Sequence, residues 1–259
     1  MKLHSHYSSS KGNLYTVEAE DGHRLMIECG VNWKTLQTAL GFDLNGINAC
    51  LCTHQHKDHS KALVNVLNAG IDCYATTETF DSSPGCLGHR RAHEVENKTL
   101  ITAIPGFQVY CFEVEHDCPG CLGFIVREEK TDEYLLFATD TAYLRQRFAY
   151  KFSIIAIECS YDHDMLQAQV DAVTIHETVA KRLLTSHMEW NRTLEYLRDH
   201  CDLEKCREIH LLHMSGDRIN KAATCDLIER ELFINTAYHG KKDQQASPAN
   251  SIGNPWDVV

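Results

Sequence analysis

Residues 54–59 read HQHKDH, three histidines and an aspartate within six positions. They follow the apolar run Ala49, Cys50, Leu51, Cys52, and the chain turns apolar again at Ala62 and Leu63. The first run reads as a buried strand, and in extended backbone residues two apart project to the same side. His54 and His56 at the strand end can therefore reach one ion. Asp58 and His59 fall where the chain turns into a helix, and can face an adjacent position. The chemistry this corner suits is binding of two neighbouring divalent ions. Nitrogen and oxygen donors of intermediate hardness favour Zn2+, with Mn2+, Fe2+ and Ni2+ compatible. Two such ions ~3.5–4 Å apart can share a hydroxide and clamp both ends of a displacement. The rival reading is a surface cluster, since the chain holds 16 histidines. A strand before the pattern and a helix after it argue for the metal.

Elements able to position that corner are legible on both sides of it. Strands are expected over 13–20 and 24–29, split by the Asp21-Gly22 turn, then a short helix over 33–40 and a strand over 47–53. A helix over 60–70 and the strand IDCYAT follow, and residues 81–97 read as a loop. The middle is strand-rich: TLITAI, FQVYCFEVEH, a hairpin with its charged tip near Lys130-Thr131-Asp132, and the apolar FSIIAIECS over 152–160. Helical patterns lie around 163–184 and 189–200, before a strand over 207–215, a helix over 221–233 and a last strand NTAYHG. Two successive halves, each running from strands into helices, predict an α/β sandwich of face-to-face sheets with helices outside. Residues 1–240 would form one catalytic domain. Residues 241–259 would form a flexible tail, with Trp256 as a docking point.

The bulk properties restrict the partners. A chain of 259 residues can bury a core without staples. A formal charge of −11 weighs against a protein that coats nucleic acid, although a metal-rich cleft can still hold phosphate. The start, MKLHSHYSSSKGN, lacks the apolar stretch of a signal peptide, and no segment approaches the ~20 apolar residues of a membrane span. The 12 cysteines are scattered, several inside apolar runs (Cys29, Cys50, Cys52, Cys111, Cys159), which suits a cytoplasmic protein with reduced, buried thiols. The pair Cys118 and Cys121 in CPGC could be half a zinc site or a redox pair. Cys201 and Cys206 are poorly spaced to complete it, so it reads as a turn with incidental thiols. GHRRAH (His89, Arg90, Arg91, His93) could contact phosphate but reads first as a solvated basic turn.

THQHKDH resembles the signature of the metallo-β-lactamase superfamily, whose fold is a four-layer αββα sandwich with two metals at one sheet edge. The resemblance extends over nearly all of residues 3–240: VEHD offers His116, LLFATDTAY offers Asp140, and IHLLHMSGD offers His213. It implies that one ion takes His54, His56 and His116, that the second takes Asp58, His59 and His213, and that Asp140 bridges them. The implied nucleophile is the shared water or hydroxide. Read alone, His116 could be a loop histidine, Asp140 a helix N-cap and His213 a core histidine. Each falls where a strand ends in polar residues, which favours the joint reading.

Within the superfamily, His56 argues against the flavodiiron branch, which has glutamate there. AIECSYDHDML (156–166) and LLTSHMEWN (183–191) resemble the phosphodiesterase, ribonuclease Z-like branch, in which a glutamate and a histidine act as a pair; Glu158 and His187 match. A histidine oriented by a carboxylate can give a proton to a leaving oxygen. The pair could instead be a strand-end salt bridge and a helix-end histidine. SSSKGN, ECSYDHDML and SHMEWN most resemble the YycJ-type exonuclease group. Ser160, Tyr161, Ser186 and Glu28 depart from the expected pattern and put the substrate in question more than the metals. The resemblance thus implies a dinuclear phosphodiesterase acting on a nucleic acid or nucleotide, with Asp58 orienting the nucleophile and His187, steadied by Glu158, assisting the leaving oxygen. Asn191 and Ser215 are placed at the cleft, and a homodimer is compatible. The alternatives are a small cyclic-nucleotide phosphodiesterase and, further off, a lactonase- or thioesterase-type carbon-ester hydrolase.

Overall fold

Period-two alternation assigns each strand residue to a layer in the computed structural model, which describes residues 1–240. The first half contains β1 (Lys2–Ser9), β2 (Gly12–Glu18), β3 (Arg24–Ile27), α1 (Trp33–Ala39), β4 (Ile47–Leu51), α2 (Lys57–Ser60), α3 (Leu63–Asn68), β5 (Asp72–Ala75), α4 (Thr77–Asp81) and β6 (Ala92–Glu94). Its strands form a six-stranded sheet in sequence order, antiparallel from β1 to β3 and parallel from β3 to β6. The second half contains β7 (Leu100–Ile104), β8 (Phe107–Glu113), β9 (Leu122–Glu128), β10 (Tyr134–Ala138), β11 (Ile154–Glu158), α5 (His163–Asp171), α6 (Glu177–Ser186), α7 (Trp190–His200), β12 (Glu208–Leu212), α8 (Lys221–Leu232) and β13 (Asn235–Tyr238). It forms a seven-stranded sheet, also in sequence order, antiparallel from β7 to β10 and parallel from β10 to β13.

Leu25, Ile27, Ala49 and Leu51 of the first sheet share one core with Leu135, Phe137, Ile154 and Ala156 of the second. The intervening residues face outward. Met26 and Cys50 pack with Leu36 of α1 and Leu63, Val66 and Leu67 of α3. Leu136, Ile155 and Ile157 pack with Tyr196 and Leu197 of α7 and Ile228 of α8. Both faces of each sheet are thus covered, and the expected αββα sandwich is the fold. Tyr15 and Phe137 meet edge to face across the central layer, with ring centroids 5.1 Å apart.

Three local expectations need correction, and one strand, Lys2–Ser9, was not expected. It lies at the sheet edge with mostly polar side chains, so its pattern is weak. The helix expected over 60–70 is shorter, Leu63–Asn68, and is cut off from the turn Lys57–Ser60, because the Asp58 carbonyl accepts from Asn13 Nδ2 while the Ala62 amide donates to the Cys29 carbonyl. The helix expected over 163–184 breaks near Val173, which sits at φ 56°. Within the expected loop 81–97, Ala92–Glu94 pairs with β5; Arg91 and His93 both contact Asp72 at 3.0 Å instead of standing free as a solvated turn. Among the described residues, no helix is long and apolar enough to cross a membrane. The expectations for residues 241–259, Trp256 included, lie outside the described residues.

Candidate metal centre

Strands β3, β4, β10, β11 and β12 all deliver chemistry at or just past their carboxyl ends: Glu28, His54, Asp140, Glu158 and His213 respectively. Parallel strands of both sheets therefore open onto one edge of the sandwich. Glu28, Asp140 and His213 each leave their strand in the left-handed region, with φ of 66°, 49° and 53°. Such backbone is costly for residues other than glycine and persists where the surroundings enforce it. The turn Lys57–Ser60 is seated by close approach: a Cβ on Gly30 would lie 1.6 Å from the Asp58 carbonyl oxygen.

The structure brings all seven expected donors together. His54 Nε2 lies 3.0 Å from His56 Nδ1, which lies 3.3 Å from His116 Nε2. Asp58 Oδ2 is 3.5 Å from His59 Nε2 and 3.8 Å from His213 Nε2. Asp140 stands between these two groups. Its Oδ2 is 3.1 Å from His59 Nε2, and its Oδ1 is 3.8 Å from both His116 Nε2 and His213 Nε2. Glu158 and His187 also arrive together, Oε1 to Nδ1 at 2.6 Å, with His187 Nδ1 3.7 Å from Asp140 Oδ1.

This donor set fits divalent ions. Two ligands ~2.0–2.1 Å from one tetrahedral ion lie about 3.3–3.4 Å apart, close to the spacing of the first three imidazoles. Both ring nitrogens of His213 are buried without a hydrogen-bond partner among the described residues, which ordinarily costs about 1–3 kcal/mol per group. Hydrogen bonds behind the ligands aim them. His116 Nδ1–H donates to the Ser186 carbonyl at 2.8 Å, which turns Nε2 inward. Thr53 Oγ1 lies 2.9 Å from His54 Nδ1 and donates to Glu28 Oε1 at 2.5 Å, while Glu28 Oε1 is 3.1 Å from His59 Nδ1. Carboxylates behind imidazoles fix their tautomer and raise their basicity.

The electrostatics call for positive charge. Burial pushes the Asp140 carboxyl up, but the His213 and His59 imidazoles outweigh it and hold the group well below the usual carboxylate range. Burial pushes His213 down, and the Asp140 charge with the Asp58 and Glu158 carboxylates brings it up to about 10. His59 is likewise raised, against burial, by Asp140 and Glu28. His54 differs: burial drives it well below the ordinary histidine value, into the neutral form a ligand needs. Burial lowers His187, and the Glu158 charge and hydrogen bond raise it on balance.

Sequence reasoning missed four contributors. Asn13 Nδ2 donates to the Asp58 carbonyl and lies 3.1 Å from His59 Nε2. Thr53 is the relay described above. Asp117 places Oδ1 3.2 Å from His116 Nε2 and pairs through Oδ2 with Arg182. The fourth is a correction. Cys118, read as an incidental thiol, stands close to the centre: its sulfur joins the His54, His56 and His116 nitrogens in a group whose atoms all lie within 4.8 Å of one another. The Cys121 hydrogen bond, opposed by burial and helped by His56, lowers the Cys118 thiol to about 5. Asn191 is exposed and bonds Glu189, and the Ser215 hydroxyl accepts from Arg218.

A family described as Beta-lactamase superfamily domain matches residues 23–214, a stretch that holds all seven donors and the Glu158–His187 pair. The exodeoxyribonuclease YycJ of Bacillus anthracis is 22% identical over 169 residues, 62% of this chain and 63% of that protein. The chain thus spans less than two thirds of that relative's length. Among solved structures, Zn2+-bound PqqB from Methylobacterium extorquens superposes with a TM-score of 0.68 at 12% identity, covering 92% of this chain and 98% of that one. The short form of human tRNase Z gives 0.58 at 16% identity, covering 92% and 96%. The structural likenesses are of fold, and the family match points to a metal-dependent hydrolase. By its layers and its matched stretch, the chain belongs to the metallo-β-lactamase superfamily.

Proposed function

We propose that this protein hydrolyses phosphodiester bonds in a nucleic acid or nucleotide, using two divalent ions, Zn2+ foremost. His54, His56 and His116 would hold one, Asp58, His59 and His213 the other, and Asp140, between the two groups, would serve both. The observation that carries the reading is the Glu158–His187 pair, 2.6 Å apart and 3.7 Å from Asp140. Ions held there would activate a water and neutralise charge developing on the phosphoryl oxygens.

The protein groups supply the rest. Glu158 accepts the Nδ1–H of His187, so the imidazole is locked in orientation and Nε2 is left for the substrate. From there Nε2–H donates to the leaving oxygen, as a positioned general acid. Asp58, partly exposed at the mouth, accepts a hydrogen bond from the attacking water and orients it. No disulfide joins the cysteines among the described residues, and a cytoplasmic setting would keep them as thiols.

The relative named exodeoxyribonuclease supports a nucleic-acid end as substrate. The net charge of −11 favours a second reading, a small cyclic nucleotide, whose approach depends less on an extended basic surface. Incubating the Zn2+-loaded protein with end-labelled DNA or RNA, and separately with cyclic purine and pyrimidine nucleotides, tests both. Strand trimming supports the first, and linear monophosphate from the cyclic substrates alone supports the second. Inertness toward both, with turnover of a lactone or thioester, overturns the phosphodiesterase reading.

A further inference from the structure

The turn Cys118–Cys121 is built, not incidental. The Leu122 amide donates to the Thr53 carbonyl at 3.0 Å and the Val114 amide to the Cys121 carbonyl at 3.2 Å. Thr76 Oγ1 donates to the Gly120 carbonyl at 3.0 Å. Gly120 has φ 71°, and a Cβ there would meet Thr76 Oγ1 and Glu78 Oε2 at 2.7 Å, so glycine alone allows this path. The turn is thereby tied to the residue preceding His54 and to the strand preceding His116. It presents one sulfur to the three imidazoles. The second sulfur stays behind: Cys121 is buried, its Sγ donating to the Cys118 carbonyl at 3.1 Å and lying 3.2 Å from Cys118 Sγ.

We propose that Cys118 supplies a sulfur ligand to the ion held by His54, His56 and His116, an inference that rests on the metal reading above. The group fits: with Asp140 it makes five protein donors, and a sulfur ~2.3 Å and a nitrogen ~2.0–2.1 Å from one ion lie about 3.1–3.6 Å apart on neighbouring ligand directions, within the 4.8 Å span this cluster already occupies. Three imidazoles and a thiolate form a softer set than imidazoles and carboxylates. The first site therefore discriminates for Zn2+, Co2+ or Fe2+ and against Mn2+ and Mg2+. The second site, with Asp58 and Asp140, keeps harder donors, so the two positions differ in the metals they accept.

X-ray absorption at the zinc edge reads the ligand directly. The loaded wild-type protein is expected to show a sulfur scatterer at about 2.3 Å. Loaded with Co2+, it should show a thiolate-to-metal charge-transfer band that Cys118→Ser removes and Cys121→Ser keeps. A wild-type zinc shell of nitrogen and oxygen alone, in protein carrying two ions per chain, overturns the sulfur ligand and leaves the metal centre standing. Protein that takes up no ion overturns both. The wild-type spectrum decides the matter even where a cysteine variant fails to fold.

Discussion

Glu158 Oε1 lies 2.6 Å from His187 Nδ1, and the other oxygen of the same carboxylate accepts the Thr141 amide, so the carboxylate cannot rotate away. Glu158 is fully buried, and His187 stacks on His213 at 5.1 Å between ring centroids. An imidazole held at one nitrogen and packed on its face can act only through the other. His187→Ala should therefore slow cleavage of phosphodiesters with nucleoside leaving groups by about 10²–10⁴-fold. Nitrophenyl diesters, whose leaving group needs no proton, should lose much less. Equal loss on both, measured as kcat at saturating substrate with metal content unchanged, would remove the general-acid role.

Chelation should destabilise the fold as well as silence it. Ions that bind only the folded chain stabilise it by about 3–4 kcal/mol when free metal exceeds Kd by 100- to 1,000-fold. For a chain of this size that corresponds to roughly 6–15 °C in Tm. Thermal melts with and without a chelator measure it, beside metal analysis giving two ions per chain. An unchanged Tm after complete metal removal would contradict it.

Glu28→Ala probes the support behind the ligands. It leaves the Thr53 hydroxyl and amide without their acceptor and removes the carboxylate 3.1 Å from His59 Nδ1. Loss of such a partner typically weakens metal binding 10–100-fold. Competition with a chromophoric chelator should record that drop, and wild-type affinity in the variant would rule Glu28 out as a positioning residue.

Gly30→Ala should be among the most damaging single-methyl changes. The added carbon would overlap the Asp58 carbonyl and approach the His59 amide to 2.6 Å, backbone that cannot swing aside like a side-chain tip. A loss of about 3 kcal/mol in urea unfolding is expected. On the proposed assignment the second ion should go with it, because Asp58 and His59 would be two of its three unshared ligands.

The parts of the centre legible in the sequence are those fixed by short-range geometry. His54, His56, Asp58 and His59 lie within one strand-to-helix corner, so spacing alone foretells their convergence. His116, Asp140 and His213 were legible through the family resemblance, with the support that each follows an apolar run whose end a layered fold gathers. Cys118 was missed because a C-x-x-C pair invites a search for a second pair, whereas its partners are histidines 60 or more residues upstream and one two residues before it. Asn13 and Thr53 lie inside the quoted stretches SSSKGN and THQHKDH, but neither stretch says what its own side chain touches. Their roles arise from where β2 begins and β4 ends relative to Asp58 and Glu28, which only the assembled sheets reveal. The helix breaks near Ala62 and Val173 were hidden for a similar reason: local pattern favours continuation, and tertiary hydrogen bonds or a left-handed residue override it.

The donors divide cleanly between the two sheets: the first contributes its last at His59, and the second supplies His116 through His213. Neither half of the chain owns a working centre. On the proposed ligand set, hydrolytic power would be a property of docking, absent from any nascent fragment on the ribosome until residue 213 has emerged and β12 has found its place beside β11. Two inert fragments, each carrying one sheet, would regain turnover only by finding one another.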